Sequence, residues 1–281
     1  MVPTGALFVL SALAALPAGH GASGLPKLLT NVSHAVVSLT PPGVPASRAL
    51  VVGQNRRLTD YTQLAKLTAS DAAADDRFGY SVAIDGSTLV VGARMDNDSG
   101  NESGSAYVFR TTDGGATYGR VGKLTASDAA SSDYFGGSVA IDGSTVVVGA
   151  TGDGDGGSGS GSAYVFRTTD GGATYGRVAK LTASDAASSD YFGGSVAIAG
   201  GSVVVGAVHD DDAGSSSGSA YVFRTTDGGA TYSRVAKLTA SDAASSDYFG
   251  GSVAIDGSTV VVGLQVTATA APARARPTSS A

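Results

Sequence analysis

The chain has 281 residues, a formal net charge of −6 and only 15% charged side chains. An acidic chain without clustered Lys or Arg is not expected to bind nucleic acid, because that partner is recognised through its phosphates. The absence of cysteine excludes disulfides, thiolate nucleophiles and thiolate metal sites. The 41 glycines indicate many tight turns, as in an all-β protein.

Residues 1–22 resemble a secretory signal peptide. The apolar stretch from Ala6 to Leu16 is too short to span a bilayer, and candidate cleavage points follow at Ala18 and Ala22. We therefore predict an extracellular or cell-surface protein without a transmembrane helix. A buried N-terminal segment or an incorrectly assigned start codon is the alternative.

A 57-residue unit recurs after the N-terminal region. Lysine and phenylalanine mark it at equal spacing: Lys66, Lys123, Lys180 and Lys237, then Phe78, Phe135, Phe192 and Phe249. The repeats cover residues 66–122, 123–179 and 180–236, with a partial copy at 237–263. A period of this length is typical of propellers and solenoids.

One unit contains four segments with the pattern of β-strands. They are residues 135–141, 146–150, 162–167 and 175–181. Asp142-Gly143 between two apolar runs is a strong hairpin signal, and the continuous valine run at 146–148 indicates a strand covered on both faces. We predict an all-β fold, a β-propeller of four-stranded antiparallel blades.

The two ends of the repeat region complement each other. Arg48–Val52 aligns with Ser105–Phe109, so the N-terminal region supplies the last two strands of a blade. The last copy supplies the first two strands and stops at Gly263. Pairing these half-blades would close a ring of about four blades; the alternatives are an open arc or a fragment of a larger propeller. The propeller domain is thus placed at 23–263, and a disordered tail is predicted at 264–281.

Two dipeptides recur in each unit. A Phe-Gly pair starts the first strand, and a Gly-Ala pair, or the lone Gly263, ends the second. This pattern resembles the FG-GAP repeats of integrin α-subunit propellers, although Arg94, Thr151 and Val208 stand where that family has proline. The resemblance implies a propeller domain, but the family's calcium loop has no counterpart, since only a short turn separates the two dipeptides here.

A second recurring segment, Thr-Thr-Asp-Gly-Gly-Ala-Thr-Tyr, follows the third strand. It resembles the Asp-box of sialidase-type propellers, in which the aspartate holds its own hairpin turn. The resemblance implies a structural role for three aspartates, Asp113, Asp170 and Asp227.

An acidic loop follows the Gly-Ala position in each complete unit. Its candidate calcium ligands are Asp96, Asp98, Glu102, Asp153, Asp155, Asp210 and Asp212. Calcium needs six or more oxygen ligands, and a D-x-D-x-G loop presents two carboxylates and turns backbone carbonyls inwards. Calcium is therefore the one candidate cofactor, and a solvated acidic loop without metal is the alternative.

Duplicated units argue against catalysis, because catalysis needs different residues that converge on one point. The arginines Arg110, Arg167 and Arg224 are repeated copies, and Glu102 is the only glutamate. Two copies, 123–179 and 180–236, differ at nine positions, five of them within 151–159, so variation is concentrated in one loop. We expect a non-catalytic protein that binds an extracellular protein or glycan through these loops. A sialidase-like hydrolase and a truncated, non-functional propeller fragment are the alternatives.

Overall fold

The structure, a computed structural model, describes residues 34–37, 49–54 and 61–265. The predicted signal peptide and all but two residues of the predicted tail lie outside these ranges. Within them the chain forms 17 strands and no helix, which confirms the all-β prediction. Accordingly, this part of the chain contains no helical segment that could cross a membrane.

Three complete blades follow one another, each a four-stranded antiparallel sheet. Blade 1 consists of β4 (Phe78–Asp85), β5 (Thr88–Ala93), β6 (Ser105–Arg110) and β7 (Gly119–Leu124). Blade 2 consists of β8 (Ser138–Asp142), β9 (Thr145–Ala150), β10 (Ser162–Arg167) and β11 (Gly176–Leu181). Blade 3 consists of β12 (Phe192–Ala199), β13 (Ser202–Ala207), β14 (Ser219–Arg224) and β15 (Ser233–Leu238). The predicted four-stranded blades are confirmed.

Two smaller sheets flank the complete blades. The N-terminal sheet contains β1 (His34–Val37), β2 (Ala49–Gln54) and β3 (Tyr61–Leu67), and the half-blade contains β16 (Ser252–Asp256) and β17 (Thr259–Gly263). These two sheets share no strand pairing among the described residues. The half-blades therefore do not pair to close a ring. The arrangement is open, as in the predicted alternatives of an open arc or a fragment of a larger propeller.

Strand β1 explains why the two ends do not pair. The predicted strands β2 and β3 are present, but β1 takes the position of a second strand beside β2, pairing Val37 with Leu50. The equivalent pair in blade 1 is Val91 and Tyr107. Val37 and Leu50 are 13 residues apart in the chain, whereas Val91 and Tyr107 are 16 apart. The connection between β1 and β2 is therefore three residues shorter than that between β5 and β6, and the 57-residue comparison misses β1.

The second strand of each complete blade is fully buried, as its valine run predicts. Val146, Val147 and Val148 of β9 have no exposed surface. Their side chains alternate between the core shared with blade 1 and the core shared with blade 3, because successive residues of a strand point to opposite faces. Each interior strand thus joins two blade interfaces.

The recurring glycines lie where successive blades touch. A Cβ atom on Gly136 would lie 2.2 Å from the carbonyl oxygen of Ser105 in blade 1, and one on Gly92 would lie 2.0 Å from the oxygen of Gly136. A side-chain hydrogen bond joins the same two blades, since the Ser81 hydroxyl donates to the Gly136 carbonyl at 2.7 Å. The Phe-Gly and Gly-Ala pairs are therefore the contact points between neighbouring blades.

Candidate ligand-binding face

Two sets of loops lie together at one end of the blades. The rim loops join the second and third strands and cover residues 94–104, 151–161 and 208–218. The entry loops precede each first strand and cover residues 71–77, 128–134, 185–191 and 242–248. Each rim loop bonds the entry loop of the next blade. The amide of Tyr134 donates to the backbone carbonyl of Glu102 at 3.1 Å, and that of Tyr191 donates to the carbonyl of Gly159 at 3.0 Å. The variable loops and the entry loops consequently form one continuous face.

Each of the last three entry loops ends in a tyrosine with a left-handed backbone. The φ angles are 56° for Tyr134, 53° for Tyr191 and 51° for Tyr248. Such angles are uncommon for a bulky residue, and here the backbone bonds to the rim loops hold them. Tyr191 is 38% exposed, and the other two are half-buried. Sequence reasoning did not identify these tyrosines; their recurrence before the last three Phe-Gly pairs was the available signal.

A cationic side chain lies between two tyrosine rings at the boundary of blades 1 and 2. The guanidinium carbon of Arg94 is 4.6 Å from the ring centre of Tyr80 and 4.8 Å from that of Tyr134. Arg94 also donates to the Tyr80 hydroxyl at 2.8 Å. Tyr80 is 50% exposed, so this stacked arrangement faces solvent.

Histidine takes a comparable place at the boundary of blade 3 and the half-blade. The ring of His209 contacts Tyr191 and Tyr248 edge-on, with centroid separations of 5.2 and 5.3 Å, and its Nδ1 is 3.1 Å from the Ser216 hydroxyl. The middle boundary has Gly152 at the position of His209. The three boundaries therefore differ in the side chain placed next to the tyrosines.

The acidic rim loops fold around a lysine. In blade 2 the ammonium of Lys180 lies 2.8 Å from Asp128, 2.8 Å from Asp153 and 2.6 Å from Asp155. Lys123 and Lys237 make the equivalent contacts in blades 1 and 3. Burial by itself would lower the pKa of Lys180, but the bonds to the three carboxylates outweigh it and raise the pKa. The lysine thus remains charged in the position that a metal ion would take.

Each cluster also contains a buried tyrosine from the third strand. The Tyr164 hydroxyl is 2.7 Å from Asp153 and 3.0 Å from Asp128, and its ring lies edge-on to Phe135 with 5.4 Å between centroids. Burial raises the pKa of the Tyr164 hydroxyl, and the neighbouring carboxylates add to that effect. The lysine cluster therefore ties the rim loop to the core of the blade.

Most of the predicted calcium ligands belong to these clusters, but Glu102 does not. Asp96, Asp153 and Asp210 are buried, and Asp98, Asp155 and Asp212 contact the lysines from the solvent side. The Glu102 carboxylate instead accepts a hydrogen bond from the Tyr134 hydroxyl at 3.1 Å. The three carboxylates of a cluster offer oxygens within 4.8 Å of one another in blades 2 and 3, so a cation could contact all three.

The Thr-Thr-Asp-Gly-Gly segments, here called outer turns, lie at the opposite end of the blades, between the third and fourth strands. In blade 2 Asp170 accepts bonds from the Thr174 amide at 2.9 Å and from the hydroxyls of Thr174 at 2.6 Å and Thr168 at 2.7 Å. The bond from the Thr174 hydroxyl is the largest cause that lowers the pKa of Asp170. Asp113 and Asp227 make the same contacts with their own turns.

The repeated arginines point to neighbouring outer turns. Arg110 of blade 1 donates to the carbonyl of Gly171 in blade 2, and the Arg167 side chain lies beside Gly229 of blade 3. Two of the three repeated arginines therefore contact separate blade boundaries, away from the rim loops.

The comparison with known families agrees with this architecture. The sequence profile of the FG-GAP repeat matches residues 61–109, 118–166, 175–223 and 232–273. None of the curated proteins gives a match. Among solved structures, Saccharomyces cerevisiae Sqt1 is similar at 12% identity and a TM-score of 0.36, over 58% of this chain and 36% of that one. Because the repeat profile covers most of the chain, the protein belongs to the FG-GAP repeat family.

Proposed function

We propose that this chain is a non-catalytic recognition protein that binds an extracellular protein or glycan through the face formed by the rim and entry loops. The observation that carries the proposal is the recurrence of a tyrosine at positive φ beside each variable rim loop. The scaffold and the last three entry loops repeat almost unchanged, whereas the rim loops differ between blades. Such a division suits recognition, because a rigid framework can present different side chains at equivalent places.

The side chains on this face are of the kinds that binding surfaces use. Tyrosine offers a large, rigid contact area with a polar end, and serine and glycine allow adaptable hydrogen bonding. The rim loop at 151–161 contains six serines and glycines in a row, Gly156 to Gly161, and a Cβ atom on Gly159 would lie 3.1 Å from the exposed ring of Tyr191. Contacts of this type are weak at one site and gain strength when several blades engage one ligand.

Several contacts support the absence of catalysis. A retaining or inverting glycosidase needs two carboxyl groups with different roles around one sugar. Here the aspartates of the rim loops bind lysines, and Glu102 accepts a bond from Tyr134. The arginines that a sialidase would gather at one centre instead contact outer turns of separate blades.

Secretion belongs to the same proposal. It is supported by the signal-like composition of residues 1–22. Calcium assistance is a further part of it, and any calcium must compete with the lysine ammonium of each cluster. Three carboxylates and one lysine leave two negative charges, which favours a divalent cation electrostatically.

The test is an array of glycans and extracellular-matrix proteins probed with the labelled full chain. Tyr191→Ala is the informative variant, and Thr169→Ala, in an exposed outer turn at the opposite end, is the matched control. We expect Tyr191→Ala to lose the signal that the control retains, with equal melting temperatures. Binding lost in the control but kept in Tyr191→Ala would contradict the proposed face, and cleavage of fluorogenic glycosides would replace recognition with hydrolysis.

A further inference from the structure

Strand β17 has a free outer edge among the described residues. In every complete blade the second strand pairs on both sides, as β9 does with β8 and β10, whereas β17 pairs only with β16. Because β17 lacks this second partner, Val261 is 62% exposed, whereas its equivalents in the complete blades, Val90, Val147 and Val204, are completely buried.

The last complete blade is uncovered next to this edge. Val235 of β15 is 59% exposed, and Arg224 is exposed although Arg167, its equivalent in blade 2, is half-buried. A groove between β15 and β17 is lined by Val222, Val235 and Val260, among others. The equivalent region of blade 1 is covered by the third and fourth strands of blade 2, and that of blade 2 is covered by the third and fourth strands of blade 3. Among the described residues, the half-blade therefore lacks a cover equivalent to two antiparallel strands.

We propose that a second copy of this chain supplies these two strands, with β17 of one copy pairing antiparallel to β17 of the other. The order β16-β17 continued by the partner's β17 and β16 is a four-stranded antiparallel sheet, the same strand number and alternation as in each complete blade. The partner's strands would take the positions of a third and fourth strand and cover the groove beside β15.

Strand β2 of the same chain is the obvious competitor for the β17 edge. That position is already filled, because β1 pairs with β2 through Val36 and Val51 in the register that a second strand uses. Pairing β17 with β2 would require β1 to leave. A second copy of β17 has a free edge and needs no such displacement.

The sequence of β17 is suited to self-pairing. Edge strands are normally protected by charged side chains or proline. The β17 sequence, Thr-Val-Val-Val-Gly, contains neither. In a two-residue hairpin the two residues that flank the turn, here Asp256 and Thr259, exchange backbone hydrogen bonds. Further along the hairpin, non-bonded pairs alternate with bonded pairs, so that Val260 and Val262 belong to non-bonded pairs with β16. Val260 and Val262 consequently direct their amides to the free edge. A two-fold axis at Val261 brings Val260 opposite the partner's Val262 as a bonded pair.

The first experiment measures the mass of the full chain by sedimentation velocity. We expect a dimer for the natural sequence and for Val262→Ala, which keeps the amide. Val262→Pro removes an outward N–H without touching the β16 pairing, and we expect it to be monomeric. A monomeric natural chain, or a dimer retained by Val262→Pro, would overturn the proposal.

The second experiment locates the contact by cysteine cross-linking. The natural chain has no cysteine, and directly opposite residues in a non-bonded antiparallel pair are about 4.5 Å apart between Cα atoms, within disulfide reach. Val261→Cys should form a cross-linked dimer under mild oxidation, and Ser233→Cys, exposed on β15, should not. A monomer whose β17 amides resist hydrogen exchange would instead show closure within one chain and would also overturn the proposal.

Discussion

Gly149 and Gly193 meet across the boundary between blades 2 and 3, where a Cβ atom on Gly149 would lie 2.0 Å from the carbonyl oxygen of Gly193. Gly149 belongs to the Gly-Ala pair of one blade and Gly193 to the Phe-Gly pair of the next. The two recurring dipeptides of the family are thus halves of one contact. No side chain fits there, and the backbones approach as closely as glycine allows.

Replacing Gly149 with alanine should separate these two blades. We expect Gly149→Ala to lower the free energy of unfolding by about 2–3 kcal/mol, the cost of overpacking against a backbone that cannot move away. Gly176→Ala is the control, because a Cβ atom there meets nothing within 4 Å, and it should change stability by less than about 0.5 kcal/mol. Urea unfolding measures both; similar losses for the two variants would contradict this account of the glycine contact.

Lys180 is predicted to be the main stabiliser of its rim loop. Lys180→Met would leave Asp153, which is buried, without a counter-charge, and we expect a loss of about 3 kcal/mol at pH 7. Lys66, the equivalent lysine of the N-terminal sheet, is exposed, so Lys66→Met serves as the control with little effect. Chemical denaturation of both variants checks this, and a loss as large in Lys66→Met would argue against the cluster.

The same cluster predicts how stability depends on pH. Burial by itself would raise the pKa of Asp153, but the bonds from Lys180 and Tyr164 outweigh it and lower the pKa. A carboxyl whose pKa is depressed in the folded state stabilises the protein when the pH is above the carboxyl's pKa in the unfolded chain, about 3.9. That contribution is lost as the pH falls through the folded-state pKa. The difference between natural chain and Lys180→Met should therefore be largest at neutral pH and shrink below about pH 4; a constant difference would exclude this linkage.

Asp170 is expected to stabilise its own outer turn and nothing at the rim. Because bonds from Thr174 and Thr168 lower the pKa of Asp170, Asp170→Ala should reduce the melting temperature at pH 7. The reduction should shrink as the pH falls below about 3.9, the usual aspartate value, and through the lowered folded-state pKa. Thr169→Ala, a neighbouring exposed substitution, is the control. Ligand binding measured on the array should remain unchanged, and a loss of binding in Asp170→Ala would place this turn in the functional site.

Calcium should bind more strongly once the lysine is gone. In the natural chain a metal ion competes with the Lys180 ammonium, whereas Lys180→Met leaves three carboxylates with oxygens within 4.8 Å of one another. We expect millimolar calcium to raise the melting temperature of Lys180→Met relative to chelator, by mass action on the folded state. Adding Asp153→Asn and Asp155→Asn to that variant should abolish the rise. No rise in Lys180→Met would leave the loops without a metal role.

The sequence by itself determined the blade. The 57-residue period, the Asp-Gly turns and the valine runs are local signals, and each depends on backbone preferences or on a burial pattern within one strand. The acidic rim loops and the Thr-Thr-Asp-Gly-Gly turns could also be located, because their residues are close together in the chain. Strand β1 was missed, since a connection three residues shorter removes it from the repeat register.

Only the tertiary structure decided how these parts meet. The placement of Lys180 among Asp128, Asp153 and Asp155 joins residues up to 52 positions apart, and no periodic pattern in one segment reveals such a contact. The left-handed backbone of Tyr191 arises from bonds to the rim loop of the preceding blade. The exposed edge of β17 depends on which strand lies beside it, and its sequence is the same as that of the buried strand β9 as far as Gly263. Identical local sequences therefore have different exposure, because burial is a property of the neighbours that the fold supplies.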